Sequence, residues 1–205
     1  MGDLTVVRVL DDQRRHTEVL TSGIGALLAE HKLTVRDLDR IVVDHGPGLF
    51  TGLRVGLATA QSMSLALGIG LVQVTSLEVL ALDAWRRGVR GSVIAMVDAR
   101  RREVFCQTFS LDTECLATSS PEVTTAQQVA LQCATNGDPV ALTGDGAHRF
   151  RDAFELIVNV NIDNELVPSV WSALDLGATR EISPRVTALY LREADAVANF
   201  STRRK

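Results

Sequence analysis

Residues 40–85 alternate between strand and helix patterns, and this alternation is the strongest constraint on the fold. The run RIVVD at residues 40–44 is rich in β-branched side chains, and the glycine-rich turn HGPGLFTG follows at residues 45–52. Residues 53–67 have helical spacing, and a second strand, LVQV, then leads into a helix with the capping box T-x-x-E. This order predicts parallel strands joined by right-handed crossovers, and therefore an α/β fold.

The remaining segments extend the same α/β pattern. A short polar turn between two apolar runs predicts a β-hairpin, and a strand, a glycine turn and a helix recur more weakly near the end of the chain. The predicted elements are a strand at 4–10, a helix at 16–31, hairpin strands at 92–99 and 104–111, a helix with Ser120 as N-cap and Pro121 as its first residue, and a helix at 167–180.

Composition narrows the functional classes. The chain has 205 residues, 46% of them apolar, and a formal charge of −4, so it lacks the global basic field that drives nucleic-acid binding, although a local basic patch remains open. Three cysteines without a C-x-x-C spacing fit neither a disulfide framework nor a zinc ribbon, which predicts the cytoplasm. The most apolar stretch, residues 53–74, contains Arg54 and several polar residues, so no membrane span is expected.

The glycine-rich turn is the most informative candidate site. Glycines between a strand and a helix let the backbone approach a ligand, and the free N–H groups at the helix start attract anions. Neither a Walker loop nor a dinucleotide-binding spacing is present, so a purely structural turn is the alternative. Arg54 could pair with an anion or project into solvent. The candidate residues are Gly46, Pro47, Gly48, Phe50, Thr51, Gly52 and Arg54.

No catalytic or metal-ligating constellation is visible. The four histidines show no H-E-x-x-H spacing, and the adjacent Asp44 and His45 face opposite sides of a strand. Asp98 could hold a metal-bound phosphate or satisfy a turn, and Asp145, between two glycines, is a turn residue first and a ligand-site candidate second. We therefore predict neither catalytic residues nor a metal site.

The first predicted helix has a second face made of small residues: Ser22, Gly25, Ala26 and Ala29. Glycine inside a helix costs about 1 kcal/mol relative to alanine, so a compensating close contact is expected. That contact could be with the protein's own sheet or with a partner helix.

The stretch at residues 45–81, HGPGLFTGLRVGLATAQSMSLALGIGLVQVTSLEVLA, closely resembles the TsaB (YeaZ) family. RRHTEVL at 14–20, VDARRREVFCQTF at 97–109 and PRVTALYLREADA at 184–196 agree with the same family. The resemblance implies an actin/Hsp70-like (ASKHA, ribonuclease H-like) fold of two α/β lobes. We expect the lobes at residues 1–88 and 89–205, with the last helix a candidate for returning to the first lobe.

The resemblance also implies a function. Members of the family are non-catalytic subunits that support the catalytic subunit TsaD, and the ATPase TsaE completes the bacterial complex. TsaD transfers a threonylcarbamoyl group to N6 of adenosine 37 in tRNAs that read codons starting with A, so this chain would meet tRNA only indirectly. No cofactor is expected, with ATP binding left open. A stand-alone nucleotide-dependent phosphotransferase or peptidase-like enzyme of the same fold is the alternative.

In the family, the first two long helices form a helical bundle with TsaD, and here they correspond to residues 16–31 and 53–67. The same helices could also join two copies of this chain. The implied interface residues are Ser22, Gly25, Ala26, Ala29, Ala58, Ser62 and Ala66.

Family members usually begin with a strand ending in D-T-S/T, a turn and a second strand. The resemblance implies that this chain lacks that first hairpin, on the order of 12–20 residues. In the wider fold the hairpin's turn touches nucleotide phosphates, which weakens the expectation of nucleotide binding.

Overall fold

A computed structural model describes residues 5–9 and 16–192, without the side chains of residues 16–18. The first half holds a two-stranded parallel sheet with helices on both faces, which is the arrangement that parallel strands require. Its elements are α1 (His16–Glu30), β1 (Arg40–Asp44), α2 (Phe50–Leu67), β2 (Gly70–Val74) and α3 (Ser76–Arg86).

A larger mixed sheet forms the second half, in the strand order β5-β4-β3-β7-β8, with β6 also paired to β4. The hairpin of β3 and β4 is antiparallel, whereas β3, β7 and β8 run parallel. The elements are β3 (Ser92–Arg100), β4 (Glu103–Leu111), β5 (Cys115–Ala117), β6 (Glu122–Thr125), α4 (Ala126–Asn136), β7 (Val140–Thr143), α5 (Asp145–Arg149), β8 (Val160–Ile162) and α6 (Val170–Thr179).

Successive side chains of β1 point to opposite faces of the first sheet, and each face packs against a helix. Ile41 and Val43 pack with Leu57 and Ala60 of α2, while Val42 faces Gly177 of α6 on the opposite side. The last described helix therefore returns to the first sheet. The lobe boundaries at residues 88 and 89 stay a prediction.

The main core lies between the larger sheet and the helices on either side of it. Leu77, Leu80 and Ala84 of α3 pack against Val93 and Phe109 of the β3–β4 hairpin. On the other face, Val129 and Cys133 of α4 pack with Met96, Cys106 and Leu142. Helix α3 thus joins the two sheets, because it follows β2 in the chain and contributes its apolar face to the second sheet.

The predicted α/β class, the 40–85 alternation and the hairpin are confirmed. Thr75 caps α3 as predicted, since its Oγ1 accepts a hydrogen bond from the Glu78 N–H at 3.1 Å. The Glu78 carboxylate in turn accepts a hydrogen bond from the Thr75 N–H. Helix α2 begins at Phe50, three residues earlier than the sequence indicated. None of the helices in the described residues is long and apolar enough to cross a membrane.

Two predicted elements are wrong. Residues 5–9 form no strand, although their pattern is β-like. Ser120 does not cap a helix, because residues 122–125 pair with β4 and the helix begins only at Ala126, with Thr125 as its cap. Residues 4 and 10 of the predicted first strand, residues 14 and 15 of the family-like segment 14–20 and residues 193–196 of the family-like C-terminal segment lie outside the described residues.

Candidate functional site

The glycine-rich turn lies where β1 ends and α2 begins. Gly46 has φ +107°, and a Cβ at that position would approach Leu53 Cδ1 to 3.0 Å, so this position requires glycine. Gly46 and Pro47 are buried, whereas Phe50, Thr51 and Gly52 are exposed in the first turn of α2. The turn therefore has an inner half that is fixed by packing and an outer half that is open to a ligand or partner.

Asp44 fixes the inner half of the turn. Its Oδ1 accepts a hydrogen bond from the Gly46 N–H at 2.8 Å, and its Oδ2 accepts one from Ser76 Oγ at 2.7 Å. Burial raises the pKa of Asp44, and these two hydrogen bonds offset only part of that effect. The His45 ring contacts a different partner, the Thr187 carbonyl oxygen at 2.9 Å, so the two side chains do face opposite ways and form no dyad.

Arg54 is held by aromatic side chains on the outer half. Its guanidinium carbon lies 3.6 Å from the centre of the Phe50 ring, and its Nε donates a hydrogen bond to the Tyr190 hydroxyl at 3.2 Å. The Phe50 and Tyr190 rings also contact each other, with centroids 5.2 Å apart. Arg54 is exposed, as one of the two sequence alternatives expected, and its pairing with an anion stays a prediction.

Residues 187–192, which we call the strap, connect this turn to the β3–β4 hairpin. Besides the contacts of Tyr190, the Leu189 N–H donates to the His45 carbonyl oxygen at 2.8 Å. At its far end Arg192 donates to the Ala99 carbonyl oxygen at 3.1 Å and forms an ion pair with Glu103. The sequence pointed to this segment only through the family resemblance, because a strap is defined by contacts distant in the chain.

A cleft of about 280 Å³ opens between the two sheets beside the turn. Asp44 and Ser76 contribute from the first sheet and α3, and Val97 and Asp145 contribute from the second. Gly48 and Gly52 also line it, but Phe50, Thr51 and Arg54 are not among the residues that do. The remaining lining residues are Pro47, Leu49, Leu53, Leu166, Val167 and Pro168.

The chemistry of this cleft does not fit the phosphates of a nucleotide. The charged side chains among its described lining residues are two carboxylates, Asp44 and Asp145, and burial raises the pKa of both. At Asp145 the hydrogen bond from the Asp98 N–H offsets part of this effect, whereas the charge of the Asp98 carboxylate adds to it. A phosphate in the cleft would meet these carboxylates, and no lysine or arginine stands among the described lining residues to neutralise it. The N–H groups at the start of α2 favour an anion, but Asp44 lines the cleft beside them.

The other sequence candidates for chemistry are occupied by structural contacts. Asp98 accepts a hydrogen bond from the Arg100 N–H at 2.9 Å, as a turn residue does. Burial raises the pKa of the thiols of Cys106, to about 12, and of Cys115, to about 11, which disfavours the nucleophilic thiolate. Among the described residues, no group of three histidine, cysteine or acidic side chains could hold a metal ion.

The small-residue face consists of the seven predicted interface residues of α1 and α2: Ser22, Gly25, Ala26, Ala29, Ala58, Ser62 and Ala66. All seven are exposed, so this face does not pack on the protein's own sheet. A Cβ added at Gly25 would meet no atom of the described residues within 4 Å. Leu65 lies on the same side of α2 as Ala58 and Ser62, and 86% of it is exposed. Sequence reasoning missed Leu65, although its spacing of i+7 from Ala58 is the available signal.

Comparisons with known proteins assign these features to a class. The scan against protein families matches residues 11–163 to the family described as TsaD, tRNA N6-adenosine threonylcarbamoyltransferase. A crystal structure of an uncharacterised Pseudomonas aeruginosa protein with similarity to the peptidase YeaZ superposes with a TM-score of 0.75 and 26% identity. The superposition covers 87% of this chain and 85% of the Pseudomonas aeruginosa chain. The actin/Hsp70-like fold is thereby confirmed.

Curated relatives narrow the class further. An uncharacterised protein of Mycobacterium tuberculosis is 47% identical over 105 residues, which are 50% of this chain and 47% of that protein. The Escherichia coli tRNA threonylcarbamoyladenosine biosynthesis protein TsaB is 30% identical over 99 residues, 48% of this chain and 43% of TsaB. The aligned part of the chain thus spans about half the length of the curated relatives it matches. The chain belongs to the family whose model is described as TsaD, tRNA N6-adenosine threonylcarbamoyltransferase, and within it to the TsaB (YeaZ) proteins.

Proposed function

We propose that this protein is a non-catalytic subunit of the complex that forms N6-threonylcarbamoyladenosine at position 37 of tRNA. In this proposal it binds the catalytic TsaD subunit and supports its activity, and TsaE completes the assembly. The name of the Escherichia coli relative, a tRNA threonylcarbamoyladenosine biosynthesis protein, supports the pathway. The raised pKa values of the Cys106 and Cys115 thiols support a role without covalent catalysis.

The exposed small-residue face is the observation that carries the partner-binding role. Small side chains on α1 and α2 allow another helix to approach closely, and the exposed Leu65 offers an apolar side chain for burial beside Ala58 and Ser62. Packing of this kind is typical of helix–helix interfaces, in which a bulky residue of one helix fits between small residues of the other. TsaD is the proposed occupant, and a second copy of this chain is its competitor for the same face.

The proposal includes no cofactor for this subunit. Asp44 and Asp145 in the cleft would oppose the charge of a bound phosphate, and Arg54 is engaged by Phe50 and Tyr190. We therefore place any nucleotide of the reaction on the partner subunits. Cytoplasmic localisation follows as part of the same proposal, because tRNA is modified there.

Partner binding can be tested with one substitution at two helix surfaces. Ala29 in the small-residue face and Ala134 in α4 are both exposed. We expect Ala29→Trp to weaken binding of TsaD from the same organism by about ten-fold or more, because the indole prevents close helix approach, and Ala134→Trp to change it by less than about two-fold. Isothermal titration calorimetry would measure both dissociation constants.

The same protein samples also test whether a second copy of this chain occupies the small-residue face. Light scattering of the isolated chain reports whether it dimerises, and adding TsaD should dissociate any dimer if both use the small-residue face. Equal TsaD affinity for wild type and Ala29→Trp would show that TsaD binds elsewhere. Failure of wild-type protein to bind TsaD at all would refute the proposed role.

A further inference from the structure

Strand β8 is the last strand of the larger sheet and pairs with a neighbour, β7, on one side. Its hydrogen bonds to β7 include those of the Asn159 carbonyl oxygen at 2.9 Å and the Asp163 N–H at 2.8 Å. Because backbone groups alternate in direction along a strand, Val160 and Ile162 direct theirs away from β7. No strand of the described residues pairs with this outer side, which we call the β8 edge.

The β8 edge lacks the features that usually prevent two sheet edges from pairing. Natural edges carry charged side chains or proline, as β6 does on the other side of the same sheet, where Glu122 follows Pro121. β8 reads Val-Asn-Ile instead, and Val160 and Ile162 are anchored by packing against the core. The Val160 N–H bonds to the Ile157 carbonyl oxygen at 3.1 Å, which leaves the Ile162 N–H and the Val160 carbonyl oxygen for a partner strand.

Two apolar side chains beside the β8 edge are open to solvent. Leu156 is 96% exposed and Val158 is fully exposed, which are the highest values among the large apolar residues that the structure describes. Single exposed apolar side chains are common on protein surfaces, but these two lie in the turn that leads directly into an open strand edge. A partner that pairs with β8 would cover them, and burial of apolar area is the main driving force of association.

A groove of about 240 Å³ along the β8 edge carries one charge of each sign. Arg151 and Glu155 both line it, together with the three residues of β8. Arg151 donates a hydrogen bond to His148 Nδ1 at 3.4 Å, and Glu155 forms no ion pair with any residue that the structure describes. The neighbouring Asp152 is exposed but is not among the lining residues. Arg151 and Glu155 are therefore available to charges of opposite sign on a partner.

We propose that two copies of this chain associate through the β8 edge in antiparallel orientation, so that their larger sheets join into one. A two-fold axis lets the Ile162 N–H of each copy donate to the Val160 carbonyl oxygen of the other. The same symmetry brings Arg151 of each copy to Glu155 of the other. A second copy therefore supplies the donors, acceptors and charges that the edge needs, whereas an unrelated extended peptide would have to match each of them separately.

This association is independent of the proposed function. The β8 edge belongs to the larger sheet, whereas the small-residue face lies on α1 and α2 beside the first sheet, so one chain can use both surfaces. An interface built on a three-residue strand and two flanking apolar side chains is small. We therefore expect a dimer dissociation constant of about 1–100 μM.

Exchange of charges tests the two-fold arrangement. Sedimentation equilibrium of the full chain over about 1–1000 μM measures the dimer dissociation constant. We expect Glu155→Arg alone, and Arg151→Glu alone, to raise it by about ten-fold or more, because like charges then face each other at both symmetric positions. The double variant exchanges the two charges and should return to within about three-fold of wild type. Both positions are exposed, so the fold should tolerate these changes.

A second pair of variants locates the interface at the β8 edge. Val158→Lys should weaken the dimer by about ten-fold or more, because a charged side chain at an edge opposes pairing. Leu116→Lys is the matched control, since Leu116 is an exposed apolar residue of β5, on the other side of the same sheet. We expect it to change the dissociation constant by less than about two-fold. Hydrogen exchange of the Ile162 amide should slow by about ten-fold or more as the protein concentration rises through the dissociation constant.

The results that would overturn the proposal are specific. A chain that stays monomeric at about 1 mM would overturn it. A dimer that Val158→Lys leaves intact and Ala29→Trp dissociates would assign dimerisation to the small-residue face and overturn it as well. Failure of the double charge variant to recover would overturn the two-fold contact between Arg151 and Glu155. A dimer that survives Ala29→Trp and protects the Ile162 amide would support the β8 edge.

Discussion

Gly177 shows how a single residue sets the distance between α6 and the first sheet. A Cβ at this position would lie 2.3 Å from Val42 Cγ2 and 2.8 Å from Val42 Cγ1. Its carbonyl oxygen accepts a hydrogen bond from Arg40 at 2.7 Å, so α6 cannot easily move away from β1. Close approach, rather than an unusual backbone angle, is the reason for glycine here.

We expect Gly177→Ala to destabilise the protein by about 1–3 kcal/mol, because the added methyl group forces α6 off the sheet. Gly25→Ala is the matched control, since Gly25 also lies inside a helix but has no described atom within 4 Å of the new Cβ. Helix propensity predicts a gain of about 0.5–1 kcal/mol for that variant. Urea unfolding of both proteins measures the two changes, and a Gly177→Ala variant as stable as wild type would contradict the packing argument.

The turn at residues 100–102, between β3 and β4, shows a limit of sequence reasoning at this scale. A short polar turn was predictable from the apolar runs around Arg100–Arg102, and the structure confirms it. The left-handed backbone of these three residues, with φ between +54° and +67°, was not predictable, because turn statistics favour Asn-Gly and arginine carries no such preference. A residue that violates the local preference becomes informative only when the φ angles are known.

Between residues 120 and 136, the start of an element depends on a partner strand. Ser120 and Pro121 form a good helix-start signal, yet residues 122–125 extend along the edge of β4, from Glu103↔Thr125 to Cys106↔Glu122. The β-branched Val123, Thr124 and Thr125 suit that pairing. The helix therefore begins after the strand, where Thr125 Oγ1 accepts a hydrogen bond from the Gln128 N–H at 3.2 Å.

The side chain of Thr125 caps helix α4 and should stabilise it. Thr125→Ala should cost about 1 kcal/mol of folding stability, because it removes the hydrogen bond that caps the helix. Ser120→Ala, at the cap position that the sequence suggested, should cost less than about 0.5 kcal/mol. Thermal and urea unfolding would compare the two variants, and an equal or larger loss for Ser120→Ala would restore the sequence-based helix start.

Elements whose signals are local were predictable, and elements that need a distant partner were not. The capping box of Thr75 and Glu78 and the C-cap at Gly68, with φ +69°, depend on residues a few positions apart. Residues 5–9 have a strand-like pattern but form no strand, since a β pattern gives no information about the partner that a strand requires. The small-residue face was visible as a pattern, while its exposure came only from the structure.

At the scale of the whole molecule, two sheets and one strap build the candidate site. Asp44 comes from the end of β1, Asp145 from the start of α5, and Tyr190 from the strap. The sequence singled out Asp44 and Asp145 separately but not their proximity, because that depends on how the sheets are arranged around α3. The family resemblance predicted the fold, whereas the cleft and the strap are visible only in the contacts between distant segments.

The charge of the cleft also makes folding depend on pH. Burial raises the pKa of Asp44, so its protonated form stabilises the fold. That stabilisation is complete below the ordinary pKa of 3.8 and is lost as the pH rises through the raised value. Asn at position 44 is neutral at every pH, and its amide can still accept from the Gly46 N–H. We therefore expect Asp44→Asn to gain stability relative to wild type between about pH 4 and pH 7.

Glu78 provides a control, because its pKa is shifted in the opposite direction from that of Asp44. Burial alone would raise the pKa of Glu78, but hydrogen bonds from Arg180 and Thr75 outweigh it and lower the pKa. Its stabilisation is present above the ordinary pKa and is lost as the pH falls through the lowered value. Glu78→Gln should thus be less stable than wild type at neutral pH, and the difference should shrink in acid. Urea unfolding across the pH range measures both variants, and parallel pH profiles for Asp44→Asn and wild type would show that Asp44 gains no protonation preference on folding.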